Sequence, residues 1–206
     1  MYARSTTVLG DPSRIEAGIG YARDEVMPAM QQMDGFVGLS MLADRTSGRC
    51  IVTAAWRDLE SMMTSRETAR PLRDRAREVF GGSIEVHEWE IDVLHRVRPT
   101  DPGSWCRVVW TAADPARMAP LLDLFRTVVV PGAEQQAGFC SLSLLRDPRA
   151  GSSVTATTYD SRASLDASRE ASLALSAEIG GQIPFQVTDT AEFEVVMAHL
   201  RVPETV

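Results

Sequence analysis

Asp11-Pro12-Ser13-Arg14 and Asp114-Pro115-Ala116-Arg117 are one short stretch met twice, 103 residues apart. Working outward at the same offset, Gly35-Phe36 falls on Gly138-Phe139, Leu39-Ser40 on Leu142-Ser143, and Asp44 and Gly48 on Asp147 and Gly151. Ser65-Arg66-Glu67 then meets Ser168-Arg169-Glu170, and 19 of the 67 residues from Tyr2 to Thr68 are identical to their partners without a gap. A fixed period of this length marks a tandem duplication. The expected organisation is a first repeat over residues 1–96, a linker over 97–104 rich in Pro and Gly, and a second repeat over 105–206.

Each repeat reads the same way. Ala3 to Leu9, and Cys106 to Ala112, form a first strand. Asp11 and Asp114 cap a helix with Pro12 and Pro115 at its first position, where a missing N–H costs nothing. Apolar residues follow at helical spacing: Ile15, Ile19, Ala22, Val26 and Met30, then Met118, Leu121, Leu122, Phe125 and Val129. Pro28 and Pro131 predict a kink or an early stop near the end of that helix. A hairpin follows, Phe36–Ala43 with Ile51–Trp56 and Phe139–Arg146 with Val154–Tyr159, turned by Asp- and Gly-bearing segments. A second helix spans about Leu59 to Val79 and Arg162 to Ile179. At an offset of 104, Glu88-Trp89-Glu90 meets Glu192-Phe193-Glu194 in the last strand, and His95 meets His199.

The order β-α-β-β-α-β gives an α+β fold of two tandem ferredoxin-like units, each a four-stranded antiparallel sheet with both helices on one face. The bare face needs cover, so two units in one chain should form an intrachain pseudo-dimeric α/β barrel, with further homo-oligomerisation open. Alternation in the last strand predicts that Trp89, Ile91 and Val93 share one face, as do Phe193, Val195 and Met197.

Composition excludes several functions. With 21 basic against 28 acidic residues the net charge is −7, which gives no excess to neutralise a nucleic-acid backbone. All the basic residues are Arg, so Schiff-base and P-loop lysine chemistry is absent. No run approaches the ~20 apolar residues of a membrane span. With the first strand starting near Met1 and no room for a signal peptide, a cytoplasmic location is expected. Cys50, Cys106 and Cys140 are scattered and unmatched between repeats, which suits core packing better than a disulfide framework, metal site or nucleophile.

Gly35-Phe36, the hairpin, and Trp56-Arg57-Asp58-Leu59-Glu60-Ser61, kept as Tyr159-Asp160-Ser161-Arg162-Ala163-Ser164, resemble the antibiotic-biosynthesis-monooxygenase-like family of the dimeric α/β-barrel superfamily. The resemblance covers nearly the whole chain and implies the fold. It also implies an ability to bind a small apolar or aromatic molecule, and cofactor-independent oxygenation of a phenol or quinol. No metal or other cofactor is implied. The haem-degrading branch uses a strand-one Asn, absent from this chain, so that activity is not expected. A non-catalytic ligand-binding or interaction module is the alternative.

The candidate residues carry two readings each. Arg4 and Arg107 on strand one, beside Glu88/Glu90 and Glu192/Glu194, are substrate-orienting groups or a cross-strand ion-pair cluster that fixes register. His95 and His199 are general bases or polar caps at a strand end. Trp56, Tyr159 and Trp110 line an aromatic-substrate pocket or belong to the core. Met27, Met30, Met33, Met41, Met62 and Met63 crowd the first repeat, where they fill a core or line an adaptable cavity. Matched residues point to scaffold, and positions where the repeats disagree, Thr7 against Trp110 or the unpaired His87, point to function.

Overall fold

The computed structural model describes residues 1–200. In the first half β1 (Tyr2–Leu9) leads into a helical stretch, α1, built of a 3₁₀ turn (Pro12–Arg14), an α segment (Ile15–Tyr21), a π segment (Ala22–Val26) and a closing α segment (Met27–Gln31). β2 (Phe36–Ala43), β3 (Arg49–Trp56), α2 (Leu59–Phe80) and the long β4 (Ser83–Arg96) complete it. The second half repeats the order. β5 (Trp105–Ala112) precedes α3, with the same segments (Pro115–Arg117, Met118–Leu124, Phe125–Val129, Val130–Glu134). Then come β6 (Phe139–Asp147), β7 (Ser152–Tyr159), two helices α4 (Arg162–Ala167) and α5 (Arg169–Gln182), and β8 (Gln186–Leu200).

The hydrogen-bonded strand order, β1-β3-β2-β8-β5-β7-β6-β4, closes into a barrel. By contacts the chain forms two compact units, one of Met1–Trp89 with the segment starting at Glu194, the other of Glu90–Phe193. In the first, β3 lies between β1 and β2, and the last part of β8 pairs antiparallel with β2. In the second, β7 lies between β5 and β6, and the last part of β4 pairs with β6. The α+β architecture is the one the repeats predict.

Local chemistry explains the elements. Asp11 and Asp114 accept from the N–H groups of Ser13 and Ala116, each at 2.9 Å, and open the two helical stretches. Neither helix stops at its proline: α1 runs past Pro28 to Gln31 and α3 past Pro131 to Glu134. The π segment just upstream of each proline absorbs the disruption, because its wider turn accommodates a ring and a missing N–H that would clash in an α turn. Gly35 and Gly138 turn into β2 and β6 at φ 73° and 75°, where a Cβ would meet the hydroxyls of Ser61 and Ser164 at 2.1 and 2.3 Å.

One expectation fails. The registers of β4 and β8 shift between Ile91 and Val93 and between Val195 and Met197, which inserts an extra residue in each strand. Such a bulge breaks the period of two. Trp89 accordingly donates to Ser5 Oγ at 2.8 Å, on the opposite face of β1 from Arg4, while Val93 joins the core under α3 with Phe125, Phe139 and Leu142. Trp89, Ile91 and Val93 do not share one face.

The core of the first unit packs Phe80 of α2 against Val8, Ile15 and Met41. Gly18 of α1 is the close-approach point: a Cβ there would lie 2.1 Å from the Phe80 ring, which is 1% exposed. Replacing Gly18→Ala should cost about 1–3 kcal/mol in chemical denaturation, despite alanine's better helix propensity. A stabilised variant would show that the contact relaxes freely.

Candidate functional site

Beneath the helices of each unit, three rungs of side chains form a floor. In the second unit the pairings give Arg107/Thr157/Leu142, then Val109/Thr155/Leu144, then Thr111/Ser153/Arg146. In the first unit the matching rungs are Arg4/Ala54/Leu39, Thr6/Val52/Met41 and Val8/Cys50/Ala43. Position by position, one frame has become mostly apolar and the other mostly polar. Over each floor lies a cavity, about 140 Å³ in the second unit and about 70 Å³ in the first. The roof of the larger one is mostly apolar, with Leu122, Phe125, Val129, Leu175 and Ile179 beside Ser172 and Ser176. Ala133 borders it where Met30 narrows the smaller cavity, and Ser176 stands where the smaller one has Arg73.

Arg107 lines the second cavity but is fully engaged. Its Nη1 donates to Ser168 and Ser172 hydroxyls at 2.9 and 3.0 Å, Nη2 to the Leu165 carbonyl at 2.8 Å, and Nε and Nη2 to Glu192 at 3.3 Å. The five guanidinium hydrogens thus make five hydrogen bonds, to four acceptor atoms, Glu192 Oε1 taking two. Arg4 repeats the clamp through Ser65 at 2.8 Å, the Met62 carbonyl at 2.6 Å and Glu88 at 2.9–3.0 Å. Both side chains are buried. The carboxylates used are Glu88 and Glu192; Glu194 instead accepts from Arg45 at 2.8 Å. Hydrogen bonds from Arg66 and then Arg4 hold the Glu88 carboxyl below its ordinary pKa, against the opposing effect of burial.

The remaining candidates separate. Tyr159 is fully buried, lines the second cavity, and donates its hydroxyl to Gln136 Oε1 at 2.6 Å. Trp56, its counterpart, packs edge-on against Phe36 at 5.8 Å, and its Nε1 has no partner among the described residues. The reason is in the sequence: Met33 stands where Gln136 does. Trp110 lies between Val109 and Thr111 on β5 and so points to the face opposite the cavity. His95 stacks on Phe139 at 6.3 Å and donates from Nε2 to Glu134 at 2.5 Å, outside the cavity wall. His199 sits opposite Leu39 on β8, and the residue matching Glu134 in that half is Gln31. The structure therefore brings Arg107 and Tyr159 to one cavity and places His95, His199, Trp56 and Trp110 elsewhere.

Sequence reasoning passed over Arg146. It is 8% exposed, lines the cavity, donates from Nη1 to the Met118 carbonyl at 2.9 Å, and forms a short ion pair through Nε with Asp92. Asp92 is the extra residue of the β4 bulge, which turns its side chain toward β6. In the first half the matching residues are Ala43 and Val196, both packed in an apolar cluster. A comparison of the repeats at these two positions would have found the pair; neither residue belongs to a motif.

Among the described residues no cluster of three or more His, Cys, Asp or Glu side chains can hold a metal. The three cysteines are free and buried, and burial pushes the Cys50 and Cys106 thiols up to about 12. A thiol reagent at pH ~8 should leave the native protein largely unmodified and titrate three thiols after unfolding. Rapid labelling of the folded state would contradict this burial.

Because the Glu88 carboxyl is depressed in the folded state, its contribution is complete above the unfolded glutamate pKa and is lost as pH falls through the folded one. Denaturation midpoints should drop with acid below the ordinary glutamate range. In Glu88→Gln that part of the slope should flatten. An unchanged slope would remove Glu88 from the acid response.

No known protein-family profile matches the chain. It is 44% identical over 207 residues to the uncharacterized protein Rv2558 of Mycobacterium tuberculosis strain H37Rv, covering all of this chain and 88% of that one. It is 43% identical to Rv2557 of the same strain, covering 100% and 92%. Among solved structures, a candidate monooxygenase of Fusobacterium nucleatum aligns with TM-score 0.71 at 10% identity over 97% of this chain and 94% of its own. An anthrone oxidase-like protein aligns at 0.66 with 16% identity over 100% and 95%. A Listeria monocytogenes ferredoxin-fold protein related to antibiotic biosynthesis monooxygenases aligns at 0.55 with 10% identity over 99% and 95%. No helix among the described residues is long and apolar enough to cross a membrane. The chain belongs to the family of the mycobacterial proteins Rv2557 and Rv2558 and has the fold of the antibiotic-biosynthesis-monooxygenase-like proteins.

Proposed function

We propose that the second half binds a small apolar or aromatic molecule in its cavity, while the first half serves as scaffold. One observation carries this reading: two cavities built on one duplicated frame have diverged, to about 140 Å³ with a hydroxyl-lined floor in one and about 70 Å³ over an apolar floor in the other. An engineered apolar cavity of ~150 Å³ takes up benzene, so a single ring is the right scale. An apolar roof above a floor of Thr155, Thr157 and Ser153 suits a ring with polar substituents along one edge. The three free cysteines suit a reducing cytoplasmic setting, in which the pseudo-dimer and any further self-association would operate.

Cofactor-independent oxygenation of a phenol or quinol is a second reading, favoured by the likeness of fold to the anthrone oxidase-like protein. In that reading Tyr159, whose one hydroxyl hydrogen goes to Gln136, accepts from the substrate hydroxyl, and the apolar side chains over the cavity limit the water around the ring.

Phenol, hydroquinone and toluene should be titrated against the wild-type protein and against Ala133→Met, which installs the first half's Met30 in the second. Saturating ligand should raise the wild-type melting temperature by about 2–4 °C for each kcal/mol of binding linkage. Ala133→Met should lose that shift while staying folded. An equal shift in both proteins would place the ligand elsewhere. An oxygen electrode separates the readings, since uptake with hydroquinone supports oxygenation and binding without uptake leaves a binding module.

A further inference from the structure

The wall of the second cavity contains charge of one sign only. Arg107 and Arg146 both line it, and no carboxylate does, since Glu192 and Asp92 hold their arginines from outside the wall. The two arginines are not equivalent. Arg107 has spent all five hydrogens on Ser168, Ser172, Leu165 and Glu192, so it can take no ligand without breaking its clamp. The hydrogen bonds of Arg146 among the described residues use only Nε and Nη1, leaving Nη2 with donors for a ligand.

The ion pair of Arg146 has no counterpart in the other half. Its two positions there are Ala43 and Val196, packed among apolar neighbours in a fold that is otherwise the same. The frame therefore does not require a buried ion pair at this point. Replacing such a pair by apolar residues is often neutral or stabilising, so stability does not account for keeping one in the second half. Around it the floor is polar in the same half only: Thr111 and Ser153 share Arg146's rung and are 2.6 Å apart through their hydroxyls. Arg146 lies two rungs from Arg107, about 13 Å along the strands, so its end of the cavity is a separate cationic corner.

From these observations we infer that the molecule bound in the second half is a small organic acid, its apolar body under the α3 and α5 side chains and its carboxylate on Arg146 beside Ser153 and Thr111. The inference rests on the proposal that this cavity binds a ligand and adds the ligand's chemical class. A guanidinium matches a planar carboxylate in geometry as well as charge, and charge-assisted hydrogen bonds of this kind are roughly twice as strong as neutral ones. Low-dielectric surroundings strengthen each such hydrogen bond, and the spare donors of Arg146 with the neighbouring hydroxyls offset the water the carboxylate gives up.

The test compares ligands of one shape. Benzoate, benzamide and toluene are titrated calorimetrically at neutral pH into the wild-type protein and into Arg146→Gln paired with Asp92→Asn, which removes both charges and leaves no buried carboxylate unpartnered. Benzoate should bind the wild type at least about tenfold more tightly than either neutral compound, and the double variant should lose that preference while still binding toluene. Equal affinities for benzoate and toluene in the wild type overturn the acid assignment and leave the cavity proposal standing. A preference for benzoate that persists in the double variant overturns the role of Arg146. If none of the three binds the wild type, the cavity proposal itself falls and takes this inference with it. The wild-type comparison decides the ligand class even if the double variant does not fold.

Discussion

Under the helical segment that follows the hairpin of each unit a guanidinium lies buried, and the organisation around it follows from the need to satisfy it. An unpaired buried charge costs several kcal/mol, so strand four and the helix must present acceptors at the place where strand one puts the guanidinium. Arg4 finds them in Ser65, the Met62 carbonyl and Glu88; Arg107 finds them in Ser168, Ser172, the Leu165 carbonyl and Glu192. A helix shifted by one turn would leave hydrogens without partners. The clamp thereby sets how the helix lies over the strands and closes one end of the space between them. It is a scaffold device, common to both halves because each half seats helical backbone over the same place on its strands, one helix in the first and the α4–α5 pair in the second.

With the frame held this way, the two halves were free to differ in what fills it. The first narrowed its space with methionines, the Phe80 ring and the small or aliphatic residues of β3. The second kept the space and lined its floor with hydroxyls, and the bulge in β4 brought Asp92 across to Arg146. The unpartnered Trp56 Nε1 is a trace of the same divergence: its counterpart Tyr159 has Gln136 as acceptor, while Trp56 faces Met33. Disagreement between the repeats marks the half with the larger, polar-floored cavity more clearly than any motif does.

Much of the frame was legible from residue order. The capping aspartates, the Gly-Phe entries to β2 and β6, and the hairpin turns are local signals that act on the residues next to them. The prolines were misleading in one respect, because a π segment upstream relieves a strain that an α turn could not. The face of β4 was misread beyond Trp89, since a bulge is a property of pairing with β6 and leaves no mark on the period of β4 alone. Arg4 and Arg107 were legible as a matched pair with a carboxylate. That Glu88 and Glu192 are the partners, and that every hydrogen of Arg107 is used, depends on helix carbonyls and serine hydroxyls from about 60 residues away.

The sequence alone determined the duplication, the β-α-β-β-α-β order and the class of fold, because these rest on periodicity, caps and turns whose physics is local. Only the tertiary structure decided which aromatic residues line a cavity, that Trp110 turns away from it, and that His95 and His199 stand apart from it. It alone set Arg146 beside an empty space with donors to spare. Those outcomes depend on strand register, on a one-residue bulge and on the volumes of side chains distant in the chain, and no local rule contains them.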